Sequence, residues 1–212
     1  MKIIRIKNYY RLKIIIKKRI FYFDTIYSTS NFINNILACI SVLSVLNLDL
    51  SKMKKRFTHF VIPSGRGDIK MVKTFKKRFK FIDESYNANP LSMSSAIKNM
   101  DYYKRKNNAK KLVLLGDMLE LGKKSKRFHK ELSNVINRSD IDKVFVYGKY
   151  IRETYNYLHT NKKGKVFNNL KEAYSHFGKI IRNNDLLMVK GSNATGLNRF
   201  SKNIKKGQIS AI

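Results

Sequence analysis

The chain has 212 residues, 43% of them hydrophobic, with 2 Pro and 10 Gly, so it can bury a core and is neither collagen-like nor generally disordered. Lys and Arg number 45 against 14 Asp and Glu, and a formal charge of +31 ordinarily points to a polyanionic partner; here, however, the cations run along the whole chain and fit drift of solvated positions toward lysine. A single cysteine, Cys39, excludes a disulfide scaffold and a cysteine-based zinc site, and no apolar run reaches the ~18 residues of a membrane span, which together predict a soluble, cytoplasmic protein.

The first nineteen residues are basic but lack the apolar core and cleavage site of a signal peptide. Residues 3–6, 11–16 and 19–24 alternate apolar and polar and predict three short antiparallel strands, with turns at 7–10 and 17–18. Three strands with one apolar face make no stable body alone, so residues 1–62 are expected to be loose, the edge of a larger sheet. A buried helix is predicted over 31–47 from Ile33, Ile36, Leu37, Ile40, Leu43 and Leu46. A basic connection, 51–56, then leads through Pro63 and Gly65-Arg66-Gly67 into residues 63–212.

From about residue 65 the pattern alternates between strand and helix. Strands are predicted at 79–83, 112–116, 144–148, 166–168 and 186–190, and helices at 90–105, 123–138, 150–158, 170–182 and 196–206. This rhythm predicts an α/β fold, a Rossmann-like mostly parallel sheet with helices on both faces, whose functional residues collect at the carboxyl ends of the strands. Attention therefore falls on residues 84–90, 116–122 and 190–196.

Two of these stretches approach a phosphate-binding P-loop and fail. Residues 116–125 carry one residue too many between the glycines, with Lys where Ser or Thr should hold Mg²⁺; residues 191–196 have the right spacing but Leu197 in place of the lysine. The third, Phe81-Ile82-Asp83-Glu84-Ser85-Tyr86-Asn87-Ala88-Asn89-Pro90, brings carboxylates, a phenol and amides into a strand-to-helix turn. Its plain reading is a turn with Asn89 as helix cap and Pro90 at the first helical position, which leaves Asp83, Glu84 and Tyr86 without a purpose.

This stretch resembles the Asp-Asp/Glu-Ser-Tyr-Asn-Ala-Asn-Pro signature of the Mur ligases. Further matches follow in order: Asn35-Ile36-Leu37-Ala38, with Asn31 where a histidine is usual; Pro63-Ser64-Gly65-Arg66-Gly67; Leu115 through Gly122, followed by His129; and Val189-Lys190-Gly191-Ser192. The resemblance covers about residues 31–200. It implies a Mur ligase carboxyl-terminal domain at 63–212, preceded at 1–62 by a remnant of the central ATPase domain.

The resemblance also implies a reaction: ATP activates the carboxylate of UDP-N-acetylmuramoyl-tripeptide as an acyl phosphate, and the amine of D-alanyl-D-alanine attacks it in peptidoglycan synthesis. Carried over residue by residue, Asn35 and Arg66 would meet the nucleotide, Glu84 the ribose hydroxyls, and Tyr86, Asn87 and Asn89 the adenine side. Lys190 and Ser192 would approach the reacting centre. Mg²⁺ ligands are expected upstream of these residues, and none is predicted here; His59, His159 and His176 are isolated, and His129 reads as a structural helix residue. With no P-loop, the chain is expected to be inactive alone and to need a separate N-terminal half. Other ligases of the superfamily, such as folylpolyglutamate synthetases, fit the wording less well. The competing reading is a non-catalytic basic protein that binds nucleic acid or an anionic surface on the same fold. Against it, no basic stretch is interleaved with aromatic residues, so no specific nucleic-acid partner is expected.

Overall fold

The computed structural model describes residues 1–27, 30–106 and 108–207. They fall into two compact units, Met1–Val61 and Ile62–Ile212.

In the first unit β1 (Lys2–Ile6), β2 (Tyr9–Ile16) and β3 (Arg19–Thr25) form an antiparallel sheet in that order. The β2–β3 register sets Leu12 opposite Phe23 and Ile14 opposite Phe21, which puts all four on one face. Helix α1 (Ser30–Val45) turns Ile33, Ile36 and Ile40 toward them, and Leu50 and Phe57 from two short 3₁₀ turns complete the cluster. The apolar face expected to lack a partner is therefore covered within the unit. Helix α1 stops two residues before the expected end, and Asn47 follows in the left-handed region at φ 54°.

The second unit holds a six-stranded sheet in the order β4-β5-β9-β6-β7-β8. Strands β5 (Lys77–Glu84), β9 (Leu186–Lys190), β6 (Lys111–Gly116), β7 (Lys143–Tyr147) and β8 (Lys163–Phe167) run parallel, and β4 (Asp68–Thr74) pairs antiparallel with β5 at the edge. Strand β4 was not expected from the sequence. Its hairpin turn is Phe75-Lys76, both at positive φ (53° and 58°), the twist that tight hairpins favour but normally reach with Asn-Gly. Lys17-Lys18 joins β2 to β3 in the same way (46° and 65°).

Strand alternation sorts the core into two layers. Val113, Leu115, Met188 and Ile82 face α2 (Pro90–Tyr102), α3 (Ser125–Asn137) and α4 (Ile151–Asn156), meeting Met93, Ile97, Leu132 and Ile136. Their neighbours Leu112, Leu114, Leu187, Val189 and Phe81 face α5 (Leu170–Ile180) and α6 (Leu197–Lys206), meeting Phe177, Leu197 and Phe200. Both faces being covered explains why these strands read as continuous apolar runs. Among the described residues no helix is long and apolar enough to cross a membrane.

Candidate functional site

The sheet order places the carboxyl ends of β5, β9 and β6 side by side, with Glu84 level with Lys190 and Lys190 level with Leu115. Three stretches far apart in sequence thus share one edge, where open α/β sheets bind ligands.

Glu84 and Lys190 form a pair at this edge. The Lys190 ammonium is almost wholly buried, lies 3.4 Å from Glu84 Oε2 and donates to the Asn87 carbonyl at 3.0 Å. Burial pushes the Glu84 carboxyl above its ordinary range and the Lys190 ammonium below its own, and each is opposed by the charge of the other. The other face of the carboxylate touches a loop: a Cβ on Gly67 (φ 95°) would lie 3.0 Å from Glu84 Oε1.

That loop, residues 63–67, carries Arg66. Gly65 sits at φ 82°, where a Cβ would lie 3.0 Å from the Tyr86 backbone nitrogen, so only glycine permits the approach. Tyr86 N–H donates to the Gly65 carbonyl at 3.0 Å, and Gly67 N–H donates to the Asp83 carbonyl at 2.8 Å. The exposed Arg66 guanidinium then stacks over the Tyr86 ring, 4.2 Å from its centroid.

Beneath the loop is a charge cluster that sequence reasoning missed. Lys205 Nζ from α6 donates to Asp83 Oδ2 at 2.6 Å and Ser64 Oγ at 2.5 Å and lies 3.3 Å from Asp68 Oδ2. Asp68 Oδ1 in turn accepts from Gly65 N–H at 2.9 Å, and Asp83 Oδ1 accepts from the Ser85 amide and hydroxyl. Burial works against the Lys205 ammonium, but the hydrogen bond to Asp83 and the charges of Asp83 and Asp68 outweigh it and hold its pKa above the ordinary lysine value. Lys205 stands in a lysine-rich terminal segment, where nothing in the sequence separates it from solvated neighbours.

The amides serve local structure. Asn89 caps α2: its Oδ1 accepts from Ser92 N–H at 2.8 Å while Ser92 Oγ accepts from Asn89 N–H at 3.0 Å, a reciprocal capping box. Asn87 Oδ1 accepts from Ala88 N–H. Their oxygens are thus engaged, which leaves the side-chain NH₂ groups as the donors they can offer. Asn35 is exposed on α1, in the first unit.

Ser192 is buried. Its hydroxyl accepts from Leu119 N–H at 3.0 Å and donates to the Ala88 carbonyl at 3.4 Å, joining the loop after β6 to the turn after β5. Asp117 joins more: its carboxylate accepts from Lys149 and Ile151 N–H at the start of α4, and its carbonyl accepts from Ser192 N–H. His129 is fully buried, with Nε2 accepting from Met118 N–H at 2.9 Å and Nδ1 2.7 Å from the Ser125 carbonyl, which fixes it as a structural histidine. The Met118 and Leu119 amides are thus spent on His129 and Ser192 and do not face a phosphate. Among the described residues no group of three or more His, Cys, Asp or Glu could hold a metal ion.

Residues 69–193 match the family described as Mur ligase, glutamate ligase domain. The UDP-N-acetylmuramoyl-tripeptide–D-alanyl-D-alanine ligase of Rickettsia prowazekii is 29% identical over 170 residues, covering 80% of this chain and 36% of that protein; the ligase of the same name from Buchnera aphidicola of Baizongia pistaciae is 32% identical over 167 residues, covering 78% and 34%. The chain therefore spans about a third of the length of the curated relatives it matches. Among solved structures, MurF ligase from Thermotoga maritima in complex with ADP superposes with a TM-score of 0.73 at 20% identity, covering 98% of this chain and 45% of that one, and MurF from Acinetobacter baumannii with 0.75 at 18%, covering 97% and 44%.

Proposed function

Since the chain belongs to the Mur ligase family, we propose that it is the carboxyl-terminal portion of an ATP-dependent ligase that adds D-alanyl-D-alanine to UDP-N-acetylmuramoyl-tripeptide in peptidoglycan synthesis. In this reading residues 63–212 are the carboxyl-terminal domain and 1–62 part of the central domain. The observation that carries it is the convergence of Glu84, Lys190 and the Arg66–Tyr86 stack at one sheet edge.

The donor set fits the nucleoside end of ATP. A carboxylate can accept two ribose hydroxyl bonds, Arg66 offers a charge-assisted donor to phosphate, and the Tyr86 ring and the amides of Asn87 and Asn89 suit a purine. Asn35, in the first unit, is proposed as a nucleotide contact on the family resemblance. Bound ATP would supply the phosphoryl group that activates the tripeptide carboxylate; the residues here would bind and orient it. Lys190 and Ser192, expected near the reacting centre, are assigned a positioning role, because both polar groups are buried and satisfied by protein partners. Lys190 holds Glu84 and the Asn87 turn in place, and Ser192 holds the loop after β6. Mg²⁺ that accompanies ATP is proposed to take its protein ligands from the N-terminal portion of the ligase.

The test is a phosphate-release assay with ATP, D-alanyl-D-alanine and the UDP-muramoyl-tripeptide, run with and without a separately expressed N-terminal portion of a Mur ligase. Turnover only with that portion is expected, since in-line positioning of the phosphates supplies most of the catalysis. Turnover by the 212-residue chain alone refutes the reading.

A further inference from the structure

On the face of the sheet that carries α5, a pocket of about 290 Å³ opens at the amino-terminal ends of β6, β7 and β8. Its base is Leu112 and Phe145, His176 and Ile180 of α5 wall it on one side, and Lys110 and Lys143 stand at its rim. Strand alternation puts Lys143 on the face of Phe145 and Lys110 on that of Leu112. Lys143 is level with Leu112 on the neighbouring strand, so the Cα atoms of the two lysines lie about 8 Å apart. Gly164 lets β8 close on the base of the pocket, for a Cβ there would come within 2.6 Å of the Phe145 ring.

Both rim cations can serve a ligand. Lys143 Nζ donates to the Lys163 carbonyl at 3.0 Å and keeps two N–H groups to offer; Lys110 is exposed, and among the described residues neither ammonium has an ion-pair partner. The Lys163 ammonium is directed elsewhere, to the Asn156 carbonyl at 3.1 Å beside the Tyr155 ring. No acidic residue lines the pocket. The acids around it are engaged: the buried Asp185 by the Lys110 and Arg182 amides, and Glu172 by Lys165 and the Asn168 amide. The half-buried His176 ring lies 5.4 Å from the centroid of Phe145 and 5.5 Å from that of Phe167. Burial first, then the charges of Lys165 and Lys179, hold its pKa below the ordinary value against the pull of Glu172, so at neutral pH it is an uncharged ring.

We propose that this pocket binds a small aromatic anion, its carboxylate or phosphate held by Lys110 and Lys143 and its ring laid over Leu112, Phe145 and Ile180 beside His176. An apolar lining with a few convergent polar groups is the usual make-up of a small-molecule site. The two ammonium groups supply charge-assisted hydrogen bonds, and the ring takes the place of water on the apolar base. A free inorganic anion satisfies only the first of these and a neutral ring only the second, so the pocket prefers the compound that carries both. The proposal is independent of the ligase reading, which concerns the other edge of the sheet.

The test is NMR of the histidine ring signals of the full chain at fixed pH, titrated separately with phenyl phosphate, phenylacetate, inorganic phosphate and benzyl alcohol. The chain has four histidines, and the signal missing from His176→Gln identifies the one in the pocket. The two aryl anions should move the His176 signal and leave those of His59, His129 and His159 in place. They should bind at least about tenfold more tightly than inorganic phosphate or benzyl alcohol. Joint Lys110→Met and Lys143→Met substitution should weaken phenyl phosphate at least about tenfold. Ile180→Glu, which sets a carboxylate in the pocket wall, should abolish the shift. The charge-matched control, Lys126→Met with Lys171→Met on exposed positions of α3 and α5, should change binding less than about twofold, and circular dichroism checks that each variant is folded. Equal losses in the two lysine pairs would mean diffuse attraction to a +31 surface and overturn the proposal. So would inorganic phosphate binding as tightly as the aryl anions, a His176 signal that does not move, or full binding by a folded Ile180→Glu.

Discussion

Replacing Lys205 by Met tests whether the charge cluster beneath the 63–67 loop organises it. The substitution keeps the length of the side chain and removes the ammonium, leaving the Asp83 and Asp68 carboxylates, only 3% and 11% exposed, facing each other without a cation. Breaking a buried pair by removing one partner costs about 3–5 kcal/mol; with Lys205 itself 13% exposed, the lower end, about 3 kcal/mol, is expected. For a unit of this size that lowers Tm by about 6–12 °C. The folded pKa of Lys205 lies above its unfolded value of 10.5, so its stabilisation is complete below that pH and fades as pH rises through the folded pKa. The deficit of the variant should accordingly be constant across neutral pH and narrow only in strongly alkaline solution. Urea denaturation, with hydrogen exchange of the β5 and β9 amides to isolate the second unit, measures it. Adding Asp83→Asn, which keeps an acceptor for Ser85, should recover at least about 1 kcal/mol by removing a stranded charge. A loss below about 1 kcal/mol, or no recovery in the double variant, refutes the argument.

In the assembled ligase, Glu84→Gln should raise the KM for ATP roughly 10- to 150-fold and leave that for D-alanyl-D-alanine nearly unchanged, since it removes a charged acceptor of about 1.5–3 kcal/mol; steady-state kinetics with each substrate varied decides it. Gly65→Ala, forced to φ 82° against the Tyr86 backbone, should destabilise the second unit by about 1–2 kcal/mol and speed exchange of the Tyr86 amide. Asn89→Ala should cost about 1 kcal/mol through the lost cap, read by chemical denaturation. Burial holds the His129 pKa below 6.5, so the unfolded chain takes up the proton first and stability falls as pH drops below that value, with a slope of up to about 1.4 kcal/mol per pH unit; His129→Gln should shrink the slope in pH-dependent urea titrations.

The alternation of apolar runs and helical stretches made the parallel sheet legible, because strands buried on both faces leave no polar register to confuse them. Strand β4 was hidden, since Ile69 and Met71 face outward, Val72 and Thr74 inward, and its turn, Phe75-Lys76, carries no glycine or asparagine. The stretch 83–90 was legible as a site from its chemistry, but the division of labour within it was not. That Glu84 meets a lysine 106 positions away, while Asp83 meets one 122 positions away, is decided by which strand lies beside β5 and which helix lies under it.

Asp117 bears on how far this fold can be rearranged. Its carboxylate holds the entry to α4 and its carbonyl holds the start of the 191–196 loop, while Ser192 holds both Leu119 and the Ala88 turn. Gly148 is part of the same junction, for a Cβ there would come within 2.5 Å of the Asp117 carboxylate. Loops that occupy separate places in the sequence are thus not separate modules. A graft that imports one of them from another domain of this family brings side chains selected against a different set of neighbours, and the other two loops inherit the mismatch. The loops at this edge are exchangeable only as a set, with all three and the glycine between them moving together.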